Sequence, residues 1–201
     1  MNTRARQWGF TLMEMVVTLA IIGFLAAILT PLVNKYIDDA RSTRAAQEAQ
    51  TIATGILNFN KDTGKWPIFQ SGVNITTSST IYTTLVSPGN PPTCTLANIG
   101  CASWASATSA SLSTELEFNT PAFTTSGKFA WRGPYITGTG ADPWGNTYIV
   151  NASNLGFGVN NAALVLSAGP NGQIETNFTQ SIGSGSSAIT VGGDDLIARI
   201  R

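Results

Sequence analysis

The pattern of hydrophobic and polar positions first separates an apolar segment at the start of the chain. Residues 10–33 are apolar except at three polar positions, Thr11, Glu14 and Thr30. At about 1.5 Å per residue, a helix of this length spans roughly 36 Å, which exceeds the roughly 30 Å core of a bilayer. The pattern therefore predicts a membrane-spanning helix, and Arg4 and Arg6 before it predict a cytoplasmic N-terminus.

The same composition is also typical of a secretory signal peptide or an uncleaved signal anchor. Against cleavage after the apolar stretch, the pattern runs on through Thr30 and Pro31 into a further helical segment. Glu14 is a second departure, because a carboxylate inside a bilayer helix costs about 2.5–3.5 kcal/mol on insertion scales. We therefore expect Glu14 to have a partner or a purpose.

A second helical pattern follows the apolar segment and covers residues 34–63. Apolar residues recur at spacings of four and three, at Ala45, Ala49, Ile52, Ile56 and Phe59. The opposite face is polar, and Arg44 and Glu48 on it lie one turn apart and can pair. This pattern predicts an amphipathic helix whose apolar face packs on a globular region.

Glycine and proline mark two interruptions of this long helical region. Gly23 is a weak helix residue, and Pro31 removes a main-chain hydrogen bond, so a kink or local unwinding is predicted between them. Gly64 and Pro67 predict the end of the helix.

Residues 64–127 form a variable region rich in Ser, Thr and Pro, for which short strands or a helical turn are the most regular structure expected. Cys94 and Cys101, the two cysteines of the chain, either form a disulfide or remain free thiols. We expect the disulfide in an oxidising compartment, where it would contribute about 2–3 kcal/mol.

Residues 128–201 combine turn signals with short β-prone runs. Asp142, Pro143 and Gly145 occupy favoured positions of a type I turn. Runs that favour strands lie at 148–150, 163–166, 188–191 and 196–200. The predicted fold is α+β, with a long N-terminal helix packed on a small antiparallel sheet.

Composition narrows the possible functions. Only 11% of residues are charged, and eleven acidic residues balance eleven basic ones, so we expect an extracytoplasmic protein and no nucleic acid as a primary ligand. The chain has no histidine, which excludes Ser-His-Asp catalysis and histidine-ligated metals. Glu115 and Glu117 could in principle perform glycosidase chemistry, but two acids this close in a polar loop are usually just solvated.

The sequence from Gly9 to Glu14, GFTLME, resembles the prepilin signature of type IV pilins and pseudopilins. The resemblance implies that residues 1–9 are a leader peptide, which a prepilin peptidase removes between Gly9 and Phe10 before methylating Phe10. It also implies that Glu14 pairs with the amino terminus of Phe10 in a neighbouring subunit. Such pairing would compensate a buried charge. The resemblance also implies an unwound stretch of the helix near Gly23 and Pro31, which is common in subunits of this kind.

Residues 131–135 and 142–148, WRGPY and DPWGNTY, resemble the major pseudopilins of type II secretion. The loop from Leu166 to Gly172 resembles their calcium loop, which a later acidic pair completes. This implies a calcium ion held by Ser167, Asn171, Asp194 and Asp195 together with main-chain carbonyls. The family usually has Asp where Asn171 stands, and about twenty residues separate the two halves, so a solvated acidic pair is the alternative.

The expected function is that of a non-enzymatic filament subunit, either in the pseudopilus of a type II secretion system or in a type IV pilus for adhesion, motility or DNA uptake. Its partners would be copies of itself, minor pilins or pseudopilins, prepilin peptidase and the inner-membrane assembly platform. It would lie in the inner membrane before assembly and in a periplasmic or surface filament afterwards. A membrane-anchored binding module is the alternative from another class.

Overall fold

A computed structural model describes residues 9–68, 81–96, 99–105, 108–156, 158–182 and 189–201. The chain divides into two compact units, Met1–Ala40 and Arg41–Arg201, and the second is called the head below. The described helices and strands are α1 Leu12–Thr63, β1 Thr84–Val86, α2 Cys101–Trp104, β2 Ser109–Ser111, α3 Leu112–Leu116, β3 Ile149–Val150, β4 Leu164–Ser167 and β5 Leu196–Arg199, with a 3-10 turn at Ala152–Leu155.

The predicted α+β class is confirmed, and the described sheet is mixed. Its order is β2-β1-β3-β4-β5. β1 pairs with β2 in parallel, whereas the pairs β1–β3, β3–β4 and β4–β5 are antiparallel. The sheet is therefore not purely antiparallel as predicted, because the region before residue 128 contributes β1 and β2, whose strand character the sequence pattern hardly marks.

The apolar stripe predicted on α1 is buried in the head. Ala45, Ala49, Ile52, Ile56 and Phe59 are each at most 5% exposed. The last four of them pack with residues of α3 and of one face of the sheet, among them Leu116, Val150 and Val165. Helix α1 lies very close to the segment that precedes the turn at Asp142, since a Cβ on Gly55 would lie 3.1 Å from the carbonyl oxygen of Tyr135.

A second core covers the other face of the sheet. Ile149 and Leu166 point into it, whereas their strand neighbours Val150 and Val165 point toward α1, as the alternation of a strand requires. Trp104 and Phe178 complete this core with their rings 4.8 Å apart at 76°. Because both faces are covered, all four residues of β4 are buried, which explains its continuous apolar sequence.

One predicted strand is absent from the sheet. Residues 189–191 lie outside the named strands, and residue 188 lies outside the described residues. The side chain of Gln180 forms the hydrogen bonds with the main chain of Thr190. Its Nε2 donates to the Thr190 carbonyl at 2.9 Å, and its Oε1 accepts from the Thr190 N–H at 2.7 Å. A glutamine side chain thus takes the place of a neighbouring strand.

Candidate functional site

The junction between Gly9 and Phe10 lies immediately before α1 and is open to solvent. Phe10 is 79% exposed, and a Cβ on Gly9 would meet no atom within 4 Å. Residues 1–8 of the predicted leader lie outside the described residues. An exposed, non-helical peptide bond is what a processing peptidase requires, so this geometry is compatible with cleavage after Gly9.

Thr11 and Glu14 form the start of α1. The N–H of Glu14 donates to the Thr11 hydroxyl at 3.2 Å, which is the N-cap interaction expected from the spacing of the two residues. The carboxylate of Glu14 makes no hydrogen bond within the described part of the chain. A negative charge in the first turn is favoured by the helix dipole, but in a membrane it still requires a counter-charge, which the described residues of this chain do not provide.

The helix beyond Glu14 presents its apolar side chains outward. Fifteen large apolar residues between Phe10 and Val33 are 44–83% exposed. An 18-residue window of α1 has a mean hydropathy of 2.6, and none of it is buried, so the helix is long and apolar enough to cross a membrane. Because no partner within the described chain covers these side chains, lipid or other subunits must cover them in an aqueous cell.

The helix remains continuous at the predicted weak point. All residues from Leu12 to Thr63 are helical, with Pro31 inside the helix, so the predicted local unwinding is not present. The Thr30 hydroxyl donates to the Ala26 carbonyl at 2.7 Å, whereas the carbonyl that Pro31 leaves without an N–H donor in its helix is that of Ala27. A kink at Gly23 or Pro31 remains a prediction.

The hydroxyl of Ser167 is engaged by two neighbours. Ser167 is fully buried, its hydroxyl donates to Asp142 Oδ2 at 2.7 Å, and its Oγ accepts the Gly169 N–H of the predicted calcium loop at 3.4 Å. The other oxygen of Asp142 accepts the N–H groups of Trp144 and Asn146 at 3.0 and 2.8 Å. Asp142, which the sequence marked only as a turn residue, therefore ties the predicted turn to β4 through Ser167.

The other three predicted ligands lie close together. The Asn171 N–H donates to Asp194 Oδ2 at 3.2 Å, and Asn171 Nδ2 donates to Glu175 Oε2 at 3.4 Å. Asp195 Oδ2 accepts the N–H groups of Glu175 and Thr176 at 2.9 and 2.6 Å. Glu175, which the sequence did not single out as a ligand, thus adds a third carboxylate to this loop cluster.

The loop cluster contains carboxylate oxygens that need compensation. Asp195 is only 4% exposed, and Oδ1 of Asp194 and Oδ1 of Asp195 are buried without a hydrogen-bond partner. Burial raises the pKa of Asp195. The hydrogen bonds that its carboxylate accepts from the N–H groups of Glu175 and Thr176 act in the opposite direction and lower this pKa. Asp194, Asp195 and Glu175 do not converge on one point, since among the described residues no three His, Cys, Asp or Glu side chains are grouped to hold a metal. An ion here would therefore need neutral oxygens as well as carboxylates.

The predicted disulfide is confirmed. Cys94 and Cys101 are bonded, with their Cα atoms 5.4 Å apart. The bridge lies beside the second core, against which Cys94 and Ile99 pack. It therefore holds the segment that covers the outer face of the sheet.

Arg44 and Glu48 form the predicted pair, and a third residue joins them. Arg44 Nε lies 2.7 Å from Glu48 Oε1, and the Tyr148 hydroxyl donates to Glu48 Oε2 at 2.7 Å. These three side chains line one wall of a cleft of about 420 Å³ between α1 and the segment of residues 134–141. Sequence analysis missed Tyr148, since nothing local connects it with Glu48.

The acids considered for glycosidase chemistry lie in different environments. Glu115 lies in α3, is 3% exposed, and its Oε2 has no hydrogen-bond partner. Glu117 is partly exposed, and its Oε1 accepts the Gly138 N–H at 3.5 Å. The expectation of two solvated acids in a polar loop is wrong for Glu115, because the amphipathic turn of α3 carries it into the head.

A family model matches the start of this chain. Residues 4–30 match the prokaryotic N-terminal methylation motif. A fimbrial protein of Neisseria meningitidis serogroup B is 33% identical over 81 residues, which are 40% of this chain and 46% of that protein. The chain spans about half the length of this fimbrial protein, and about half the length of the Pseudomonas aeruginosa protein described below. No solved structure matches with significance.

Proteins of type II secretion match as well. Core protein G of Pseudomonas aeruginosa is 36% identical over 70 residues, or 35% of this chain and 49% of that protein. Core protein G of Escherichia coli K12 is 24% identical over 176 residues, which cover 88% of this chain and 90% of that protein. The first match is restricted to a third of the chain, whereas the second extends over nearly all of it at lower identity.

Proposed function

We propose that this chain is a member of the type IV pilin and pseudopilin family and a structural subunit of the pseudopilus of a type II protein secretion system. The observation that carries the proposal is Glu14. It is a carboxylate on an exposed apolar helix, four residues after Phe10, without a hydrogen-bond partner in the described part of its own chain. A second copy of the chain offers the missing counter-charge.

Processing would create that counter-charge. Cleavage between Gly9 and Phe10 converts a peptide nitrogen into an amino terminus, which stays positively charged after methylation. Pairing of this terminus with Glu14 of a neighbouring subunit would neutralise both charges within the apolar filament core. Phe10 is exposed and lies outside the regular part of α1, so its amino terminus is accessible to a neighbour.

The apolar segment would form the filament core. In the inner membrane its fifteen exposed side chains between Phe10 and Val33 would contact lipid, so assembly would exchange one apolar environment for another and gain side-chain packing rather than hydrophobic burial. Before assembly the segment would hold the subunit in the inner membrane, with residues 34–201 outside the cytoplasm. Prepilin peptidase, the assembly platform and minor pseudopilins are the further proposed partners.

A secretion pseudopilus is favoured over a surface pilus because of the extent of the similarity. The relative that aligns over 88% of this chain is core protein G, whereas the fimbrial protein aligns over 40%. We propose that the role is structural rather than enzymatic, as in the pilins and pseudopilins that this chain resembles. A type IV pilus is the second candidate, because the fimbrial protein is 33% identical over its 81-residue match, whereas the longer match to core protein G is 24% identical.

Mass spectrometry of the chain from its native host tests processing. We expect a protein that begins at N-methylated Phe10. An intact Met1, or a first residue beyond Ala27, would exclude the filament proposal. Deletion of the gene then distinguishes the two filaments: loss of an exported protein supports the pseudopilus, and loss of surface fibres with normal export supports the pilus.

We also propose that the loop cluster binds calcium. Asp194, Asp195 and Asn171 fit this ion, since two of their carboxylate oxygens are buried without a partner. Ser167 does not supply its hydroxyl in this arrangement, because Asp142 holds it. Bound calcium would neutralise the buried charge and fix the connection between β4 and β5.

A further inference from the structure

We propose that Asn177 is an acceptor for an N-linked glycan. The inference rests on the proposed position of residues 34–201 outside the cytoplasm. The acceptor signal for this modification is Asn-x-Ser/Thr, in which the middle residue is not proline. The chain contains three such triplets, which start at Asn74, Asn151 and Asn177.

The fold separates the two described triplets. Asn151 is fully buried, and its Nδ2 donates to the carbonyl oxygens of Ala162 and Phe178 at 3.0 Å each. This side chain is part of the core and cannot meet an enzyme in the folded protein. Asn74 lies outside the described residues.

Asn177 and Thr179 are both exposed, and they project outward while Phe178 between them is buried against Trp104. The Thr179 N–H donates to Asn177 Oδ1 at 3.1 Å, so the carboxamide oxygen is held and its nitrogen points away from that bond. Asn177 Nδ2 makes no hydrogen bond within the described residues. The reactive amide and the hydroxyl that defines the triplet therefore lie on the same surface.

The surroundings keep this surface in place. The Phe178 N–H donates to the Ile99 carbonyl at 2.9 Å, which anchors the middle of the triplet to the disulfide-closed segment. Glu175, two residues before Asn177, is partly exposed and offers a negative charge to a basic acceptor groove of an enzyme. Substrate recognition would thus combine one charge with two outward polar side chains.

The reaction requires a lipid-pyrophosphate-linked oligosaccharide and an oligosaccharyltransferase. The nitrogen Nδ2 of Asn177 attacks the anomeric carbon of the first sugar and forms the new carbon–nitrogen bond. The bond between that carbon and the pyrophosphate oxygen breaks, and its electron pair leaves with the lipid pyrophosphate. One amide proton passes to a base of the enzyme, and no oxidant or reductant takes part.

The test uses the full chain isolated from the envelope of its native host. Fragmentation that leaves sugars attached should locate a glycan on Asn177 and none on Asn151. N177Q and T179A should lose the glycan, whereas T179S, which keeps the acceptor triplet, should retain it. An unmodified Asn177 peptide, or a sugar found on Thr179 instead, would overturn the proposal.

The same digest separates this proposal from the filament proposal. A chain that begins at methylated Phe10 with an unmodified Asn177 refutes the glycan and leaves the filament subunit standing. A glycan on Asn177 of a chain that still begins at Met1 gives the opposite result.

Discussion

The Tyr148 hydroxyl and the Glu48 carboxylate form a hydrogen bond of 2.7 Å across 100 positions of the sequence. Glu48 lies on α1, and Tyr148 directly precedes β3, so the bond connects the helix with the centre of the sheet. Tyr148 is 2% exposed. Its burial, followed by the hydrogen bond to Glu48, raises the pKa of its phenol above the usual value.

Y148F should lower the free energy of unfolding of the head by about 1 kcal/mol, because it leaves Glu48 with one donor fewer. Urea unfolding of the full chain in detergent, followed by tryptophan fluorescence, measures this change. Y36F, at a position 64% exposed, is the matched control. The unfolded tyrosine ionises near pH 10 while the folded one stays protonated, so the wild type should lose stability above that pH. If the free energy of unfolding of Y148F equals that of the wild type, the bond has no stabilising role.

E14Q should insert into the membrane at least as well as the wild type and yet assemble poorly. Removing the charge lowers the insertion cost of about 2.5–3.5 kcal/mol, but it also removes the proposed partner of the neighbouring amino terminus. Quantifying the membrane-bound and the sheared filament fractions separates the two effects. T18V is the control, since the Thr18 hydroxyl donates to the Met15 carbonyl at 2.9 Å within its own helix. If E14Q forms filaments in normal amounts, Glu14 does not pair with the neighbouring amino terminus.

Calcium should raise the melting temperature of the full chain in detergent relative to chelator, and magnesium should do so much less. An ion at a hundredfold excess over its Kd stabilises the folded state by about 2.7 kcal/mol. D195N should abolish the calcium effect, and N171D should strengthen it through the added charge. S167A should lower the melting temperature but leave the calcium shift intact, because its hydroxyl serves Asp142. Equal melting curves with calcium, magnesium and chelator would refute the site.

E115Q should stabilise the head at neutral and higher pH. Burial raises the pKa of Glu115 from 4.5 to about 7, so folding favours its protonated form. The stability that this proton contributes is present below pH 4.5 and is lost as the pH rises through 7, by an amount on the order of 2 kcal/mol.

The difference in unfolding free energy between E115Q and wild type, measured from pH 4 to 8, should therefore grow with pH. E117Q, which changes a partly exposed acid, should show little such growth. A difference for E115Q that does not vary with pH would mean that the carboxylate is compensated.

Replacing Cys94 and Cys101 together by serine should lower the free energy of unfolding by about 2–3 kcal/mol, because the bridge closes a short loop in the unfolded chain. The cysteines are separated by seven positions. Reduction of the wild-type protein should give the same loss without mutation. Equal stability of the oxidised and reduced proteins would show that packing of Trp104 alone holds this segment.

Features that depend on nearby residues could be predicted from the amino-acid sequence. The apolar segment after Phe10, the buried stripe from Ala45 to Phe59 and the turn at Asp142 follow from periodicity and from the conformations of single residues. The disulfide also follows from the sequence, since only two cysteines are present and they are close along the chain. Such features need no knowledge of distant partners.

The tertiary structure decided the rest, because the partners lie far apart in sequence. The weakly patterned β1 and β2 become strands only through pairing, whereas the apolar run at 188–191 contributes no strand to the described sheet, with the side chain of Gln180 bonded to its main chain. Asp142 holds the hydroxyl of Ser167 from 25 positions away, which changes the expected calcium ligands. The burial of Glu115 and the Tyr148–Glu48 bond likewise arise from packing. Packing leaves one oxygen of Glu115 without a hydrogen-bond donor, and it brings the Tyr148 hydroxyl to Glu48 as a donor.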